Sequence, residues 1–282
     1  MNKIFREIIF RGVVLLMRNG WELELEFPLM DRRPKPRNTG LTMVLDKGLG
    51  IGETRDLLEM AGHHIDFLKL SFGTSALYSP KVLHKKIDLV RSYDVDIYPG
   101  GTFLEVAILQ GKLDQFLKRA NELGFSCIEV SDGTIDMSGQ VRRESIEKGV
   151  DLGFKVLTEI GKKDKNEVFE ADEMVKLLNQ DIEHGAYRVI VEARESGTVG
   201  IYDDKGNPDQ DSLKTILDGS PSPELIIWEA PLKKQQVQLI RNLGNNVNLG
   251  NIAASDILAV EALRNGLRGD TFKDALKEYP KL

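Results

Sequence analysis

The chain has 282 residues, 41% of them hydrophobic and 29% charged, a profile that suits a soluble globular enzyme with room for two small domains or one large barrel. A formal net charge of −6 and the lack of any long basic run argue against a nucleic-acid partner or an anionic membrane surface. Cys127 is the only cysteine, which excludes an intrachain disulfide and makes a reducing cytoplasm the expected location.

Residues 1–22 read as an N-terminal extension. Ile4, Phe5, Ile8, Ile9 and Val13 recur at helical spacing, so a short amphipathic helix is expected there. Arg11 interrupts the apolar run at 8–17, and no small-residue cleavage site follows. The run is also shorter than the ~20 apolar residues of a membrane span. Neither a signal peptide nor a membrane anchor is expected.

Residues 23–282 are expected to form one catalytic domain. After the charged, proline-bearing segment 31–40, β-rich runs alternate with helical ones. The strand-like runs are 42–47, 65–71, 95–99, 127–132, 155–160, 187–193, 225–230 and 246–252. Helical periodicity fills 79–93, with Ser79 placed to cap and Pro80 in the first turn, and 102–123, which stops at Gly124. It recurs at 140–152, 170–185, 233–243 and 255–267. Strands separated by long crossovers pair in parallel. Eight βα units in about 250 residues predict a single (β/α)₈ TIM barrel. A doubly wound sheet is the competitor, and no G-x-G-x-x-G follows the first strand to support it.

Polar residues recur near the C-terminal end of nearly every strand, where barrels place their active sites. Alternate residues share a face, which groups Val44 with Asp46; Phe67 and Lys69 with Ser71; Asp96 with Tyr98; and Cys127 and Glu129 with Ser131. The same parity groups Leu157 with Glu159, Ile190 and Glu192 with Arg194, and Ile227 with Glu229, and the last strand ends in Asn246, Asn248 and Asn251. Burying charge is costly unless it is paired or ligand-bound, so these side chains are expected to meet in one pocket. Asp46 and Asp132 read equally well as caps of the following helix, and Ser131 as a turn residue.

Asp46, Glu129, Glu159, Glu192 and Glu229 oppose only Lys69, Lys163 and Arg194, and that surplus of carboxylate invites a divalent cation. With oxygen donors and no histidine at zinc spacing, Mg²⁺ is the expected metal. Asp46, Glu129, Glu159 and Glu192 are the candidate ligands. Glycine-bearing turns at 73–75, 100–102, 196–198 and 248–251 offer backbone N–H groups to an anion. Lys69 and Arg194 are the candidate cations for binding it, and Ser71, Gly73, Thr74, Ser131, Asn248 and Asn251 the candidate polar contacts.

The strings IDFLKLSFGTSAL (65–77), VDIYPGGTFLE (95–105), IEVSDGTIDM (128–137), VLTEIGKKD (156–164) and NVNLGNIAASDILAVEALRNGLRGDTF (246–272), taken in order, resemble the phosphosulfolactate synthases from about residue 40 to 273. The resemblance implies a Mg²⁺-dependent addition of sulfite to phosphoenolpyruvate giving (2R)-2-phospho-3-sulfolactate, a lyase reaction. It leads to coenzyme M in methanogens and to sulfolactate in some bacteria. Lys163 matches the family lysine assigned to acid–base work, with Lys69 and Glu159 beside it as catalytic groups. The family often has Gly-Trp-Gly where this chain reads Ser71-Phe72-Gly73, and Asn-Leu-Ala-Asn in place of Asn248-Leu249-Gly250-Asn251, differences that bear on fine specificity. The chemistry suits the pocket independently, because an aci-carboxylate intermediate needs a metal and fixed cations. Two alternatives stand beside this: another phosphoenolpyruvate or enolate barrel lyase, and a non-catalytic relative tied to heat stress. The expected partners are small anionic substrates and further copies of the chain in a homo-oligomer.

Overall fold

The computed structural model describes residues 26–161, 170–193, 196–198, 200–203 and 205–276. The expected N-terminal helix lies outside them. Eight parallel strands form the centre: β1 Thr42–Asp46, β2 Phe67–Leu70, β3 Asp96–Pro99, β4 Cys127–Val130, β5 Lys155–Ile160, β6 Arg188–Val191, β7 Ile226–Glu229 and β8 Leu249–Ala253. Their order, β3-β2-β1-β8-β7-β6-β5-β4, brings β3 beside β4. Ser126 closes that seam. Its N–H donates to Ile97 O at 3.2 Å and its Oγ accepts from Ile97 N–H at 3.1 Å. The fold is a (β/α)₈ TIM barrel, as the strand spacing predicts.

The two-residue period of the strands makes two apolar shells. Met43, Phe67, Tyr98, Cys127, Leu157, Ile190 and Ile227 fill the inside of the barrel. Val44, Leu68, Ile97, Ile128, Val156, Val189 and Trp228 face outward and pack under the helices. Each large side chain so buried contributes roughly 1.5–3 kcal/mol.

Ten α-helices among the described residues surround the strands: α1 Ile51–Ala61, α2 Pro80–Arg91, α3 Gly101–Leu109, α4 Leu113–Leu123, α5 Gly139–Asp151, α6 Ala171–Glu183, α7 Gln210–Gly219, α8 Lys233–Leu243, α9 Ile257–Arg264 and α10 Gly269–Ala275. Ser79 Oγ accepts from Val82 N–H at the start of α2, as its position ahead of Pro80 suggests. The periodic stretch 102–123 is not one helix. Gly111, at φ 65°, turns the chain between α3 and α4, and Gly124, at φ 89°, ends α4 in the left-handed conformation.

Segment 31–40 seals the floor, at the N-terminal ends of the strands. Arg37 Nη2 pairs with Asp66 at 2.7 Å, Arg32 Nε with Glu261 at 2.7 Å, and Arg188 Nη2 donates to Asn38 O at 3.0 Å. Asn248 belongs to this floor and not to the mouth. Its Oδ1 accepts from Leu41 N–H at 2.9 Å, and its Nδ2 donates to Glu224 O and Ile226 O, both at 2.9 Å. The expectation that Asn248 touches substrate is therefore corrected. β8 begins only at Leu249, so Asn248 sits before the strand, one barrel height from its C-terminal end.

Candidate active site

At the C-terminal mouth of the barrel lies a cavity of about 700 Å³. Lys69, Ser71, Glu129, Glu159, Glu192, Glu229 and Asn251 line it, with Phe72, Gly101, Thr102, Thr134 and Ser196 toward the rim. The strand parity thus carries most of the expected polar side chains to one place.

Lys69 is the hub. Its Nζ lies 2.9 Å from Glu129 Oε2, 3.1 Å from Glu159 Oε2 and 3.6 Å from Glu229 Oε1. Burial alone would pull its pKa down, but the three carboxylates outweigh that and hold it well above the ordinary lysine value. Lys69 therefore keeps its proton and acts as a fixed positive charge.

Glu129 is held on both sides, since its Oε1 accepts from Gly101 N–H at 2.7 Å. Burial pushes its pKa up to about 7; Lys69 opposes the rise and Glu159 adds to it. Only glycine lets α3 begin this close: a Cβ on Gly101 would stand 2.4 Å from Ser131 Oγ and 2.7 Å from Glu129 Oε1. Glu229 is likewise raised, by burial first, and its Oε2 accepts from Ala193 N–H at 3.0 Å. Glu192 hydrogen-bonds it carboxyl to carboxyl. Two buried acids in such contact share either a proton or a cation.

Asn251, at φ 52°, is 6% exposed, and its Oδ1 is buried in the lining with no hydrogen-bond partner. An asparagine tolerates the left-handed region, and an orphaned acceptor at a cavity wall awaits a donor or a metal. The turn after β2 carries a second left-handed pair, Phe72 at φ 56° and Gly73 at φ 64°. It projects Phe72 to the rim.

Ser71 lines the cavity with its hydroxyl turned to the backbone, and Gly73, Thr74 and Ser131 lie behind the lining. Ser71 Oγ donates to Asp46 O at 2.7 Å, which ties the ends of β1 and β2 together. Thr74 Oγ1 donates to Ser71 O at 2.8 Å, and Gly73 packs toward Phe103, so these two shape the turn. Ser131 Oγ donates to Glu105 Oε1 at 2.5 Å, and Glu105 Oε2 accepts from Thr134 N–H at 3.0 Å, which fixes the loop after β4.

Asp46 corrects the expectation of a metal ligand. It shares a face with Val44, and that face points outward under α2. Its Oδ2 meets Lys86 at 2.5 Å, while its Oδ1 accepts from Gly48 and Leu49 N–H at 2.8 Å. Asp46 thus caps the turn after β1 and not the following helix, whose N-cap is Gly50. Lys163 and Arg194 lie outside the described residues.

Glu229, counted among the charges in the sequence without a role of its own, shares parity with inward-facing Ile227, and that parity marks it for the site. Glu105 and Arg142 are not among the expected site residues, and their partners lie 26 and 39 residues away. For Arg142 a signal existed: it stands on the 142/145/146/149 stripe of α5, all four positions buried.

The family model of (2R)-phospho-3-sulfolactate synthase (ComA) matches residues 30–270. The chain belongs to the phosphosulfolactate synthase family. It is 45% identical to the phosphosulfolactate synthase of Methanothermobacter thermautotrophicus over 249 residues, 87% of this chain and 96% of that one. The phosphosulfolactate synthase of Bacillus subtilis is 36% identical over 253 residues, 89% of this chain and 98% of that one. Membership of this family makes the chain an enzyme. Solved barrels share its fold at low identity. The carboxyl transferase domain of Rhizobium etli pyruvate carboxylase aligns with a TM-score of 0.55 at 12% identity, over 85% of this chain and 47% of that one. The YdjI aldolase of Escherichia coli aligns at 0.52 and 14% identity, over 86% and 90%. Among the described residues no helix is long and apolar enough to cross a membrane.

Proposed function

We propose that the protein adds sulfite to phosphoenolpyruvate with the help of Mg²⁺, giving (2R)-2-phospho-3-sulfolactate, a lyase reaction run toward carbon–sulfur bond formation. The observation that carries this is the charge at the mouth: one permanently charged Lys69 ringed by Glu129, Glu159 and Glu229, with Glu192 against Glu229. Such a surplus of buried carboxylate repels a polyanion unless further positive charge enters with it.

The donor set fits Mg²⁺. Among the described residues no group of three or more His, Cys, Asp or Glu forms a ready cage. Mg²⁺ needs none, because it commonly takes one or two carboxylates and fills its shell with water and substrate oxygens. Glu129 and Glu159 lie closest to Lys69, at 2.9 and 3.1 Å, so the facing pair Glu192 and Glu229, the latter 3.6 Å from Lys69, would hold the ion. When bound there, the ion neutralises charge that develops on the substrate carboxylate.

In the addition, the sulfur lone pair of sulfite forms a bond to the CH₂ carbon of phosphoenolpyruvate. The C=C π electrons move toward the carboxylate, and a proton then goes to C2. Lys69 stands ready as a fixed cation beside that growing negative charge, with no reorganisation to perform. Glu129 and Glu159 fix the ammonium in place. Lys163 is assigned the proton delivery to C2, and Arg194 the grip on a phosphate or sulfite oxygen pair, which its fork geometry suits. Incubating the purified chain with phosphoenolpyruvate, sulfite and Mg²⁺ is expected to yield the sulfonated product by mass spectrometry. Consumption of phosphoenolpyruvate at the same rate without sulfite would point to a different barrel lyase.

A further inference from the structure

Arg142 lies on α5, outside the strands, and is 3% exposed. Its Nε and Nη2 donate to Asp181 Oδ1 and Oδ2 of α6 at 2.8 and 2.6 Å. The same Nη2 donates to the backbone O of Glu159 at 3.0 Å, and Nη1 lies 3.3 Å from Asp132 Oδ1 in the loop after β4. One guanidinium therefore joins the C-terminal ends of β4 and β5.

On one side of β5 the sheet ends early. Its paired register with β4 stops at Val130 opposite Thr158, one residue short of Glu159, whereas on the other side β5 stays paired with β6 through Glu159 and Ile160. Arg142 bonds the carbonyl just past the last rung. The side chain of the same residue reaches into the barrel mouth, where Glu159 Oε2 lies 3.1 Å from Lys69. A strand end held by the ladder on one side only is freer to shift, and displacing a carboxylate at the site by about 1 Å can cost on the order of 10²-fold in rate. Asp181 holds the fork from behind, so the guanidinium has one orientation.

We propose that Arg142 is a positioning residue for Glu159: it pins the end of β5 from outside the barrel so that the Glu159 carboxylate meets Lys69. Its effect on turnover rests on the function proposed above; its effect on the Glu159–Lys69 contact does not.

The test uses the full chain and two readouts: turnover of phosphoenolpyruvate with sulfite and Mg²⁺, and the rate at which a small acylating reagent modifies Lys69 at one alkaline pH, followed by peptide mass spectrometry. Removing both charges together, in Arg142→Met with Asp181→Leu, avoids stranding a buried carboxylate. This variant is expected to fold, to lose about 10- to 100-fold in kcat with KM changed less than about threefold, and to acylate Lys69 about tenfold faster. Glu159→Gln is expected to do the same. Adding it to the double variant should change either readout by less than about twofold, because the two act through one contact. Multiplying effects on Lys69 acylation would overturn the proposal. Should the double variant not fold, Arg142→Lys carries the test: it keeps a charge against Asp181 but lacks the fork that reaches Glu159 O. Wild-type values on both readouts in Arg142→Lys would reduce Arg142 to a structural ion pair. A wild-type chain that forms no sulfonated product, yet shows the coupling on Lys69, would sink the proposed reaction and leave the positioning role standing.

Discussion

Lys86 Nζ meets Asp46 Oδ2 at 2.5 Å outside the barrel wall, with both side chains fully buried. Lys86 also donates to Leu49 O at 2.5 Å and lies 5.3 Å from the centre of the Tyr78 ring. The pair anchors the turn after β1 and stands apart from the cavity. Lys86→Met strands a buried carboxylate and is expected to lower the unfolding free energy by about 3–5 kcal/mol. Combining it with Asp46→Asn, which keeps an acceptor for Gly48 and Leu49, should recover most of that loss. Urea unfolding checks the order, and turnover per folded molecule in the double variant should stay within about twofold of wild type. A loss of Mg²⁺ dependence in it would return Asp46 to the metal site.

Lys69→Met removes the cation that Glu129, Glu159 and Glu229 share among the described residues. Turnover is expected to fall by roughly 10²–10³-fold, the scale of removing one preorganised charge stabiliser. The three carboxylates, left against one another, should also take up protons at higher pH. Steady-state kinetics and a proton-uptake titration on folding would show both effects.

Stability should fall as pH rises through the Glu129 range. In the folded chain this carboxyl holds its proton up to about pH 7, against an ordinary value of 4.5. Between those values the folded state binds the extra proton, so raising pH favours the unfolded chain. Glu229 is shifted in the same direction. Glu129→Gln removes its share, and its stability should drop less between pH 5 and pH 8 than that of wild type, by on the order of 1–3 kcal/mol. Parallel slopes in urea unfolding at the two pH values would contradict this.

Gly101→Ala places a methyl group on Ser131 Oγ and Glu129 Oε1. Neither neighbour is free to move, because Ser131 is bonded to Glu105 and Glu129 to Lys69. Overpacking of this kind costs about 1–3 kcal/mol. Displacing Glu129 from Lys69 should also lower turnover by at least about tenfold. A thermal melt with kinetics on the folded fraction separates the two losses.

The eight apolar runs and their spacing determined the barrel, because parallel strands joined by long crossovers have few ways to bury both faces. Parity carried Lys69, Glu129, Glu159, Glu192 and Glu229 to one mouth, since residues two apart on a strand cannot part company, whereas Asn251 lies two after outward-facing Leu249 and lines the mouth with its backbone in the left-handed region. Parity does not say which face is the inner one. Asp46 shares its face with Val44 as the sequence implies, and only the packing of α2 shows that face to be the outer one. Nor does it say where a strand starts, which is why Asn248 falls at the floor. The tight fit at Gly101 and the reach of Arg142 to Asp181 and Glu159 were decided by tertiary structure alone. Local sequence encodes the direction of a side chain, whereas its partner is chosen by whatever the closed fold brings within 3 Å.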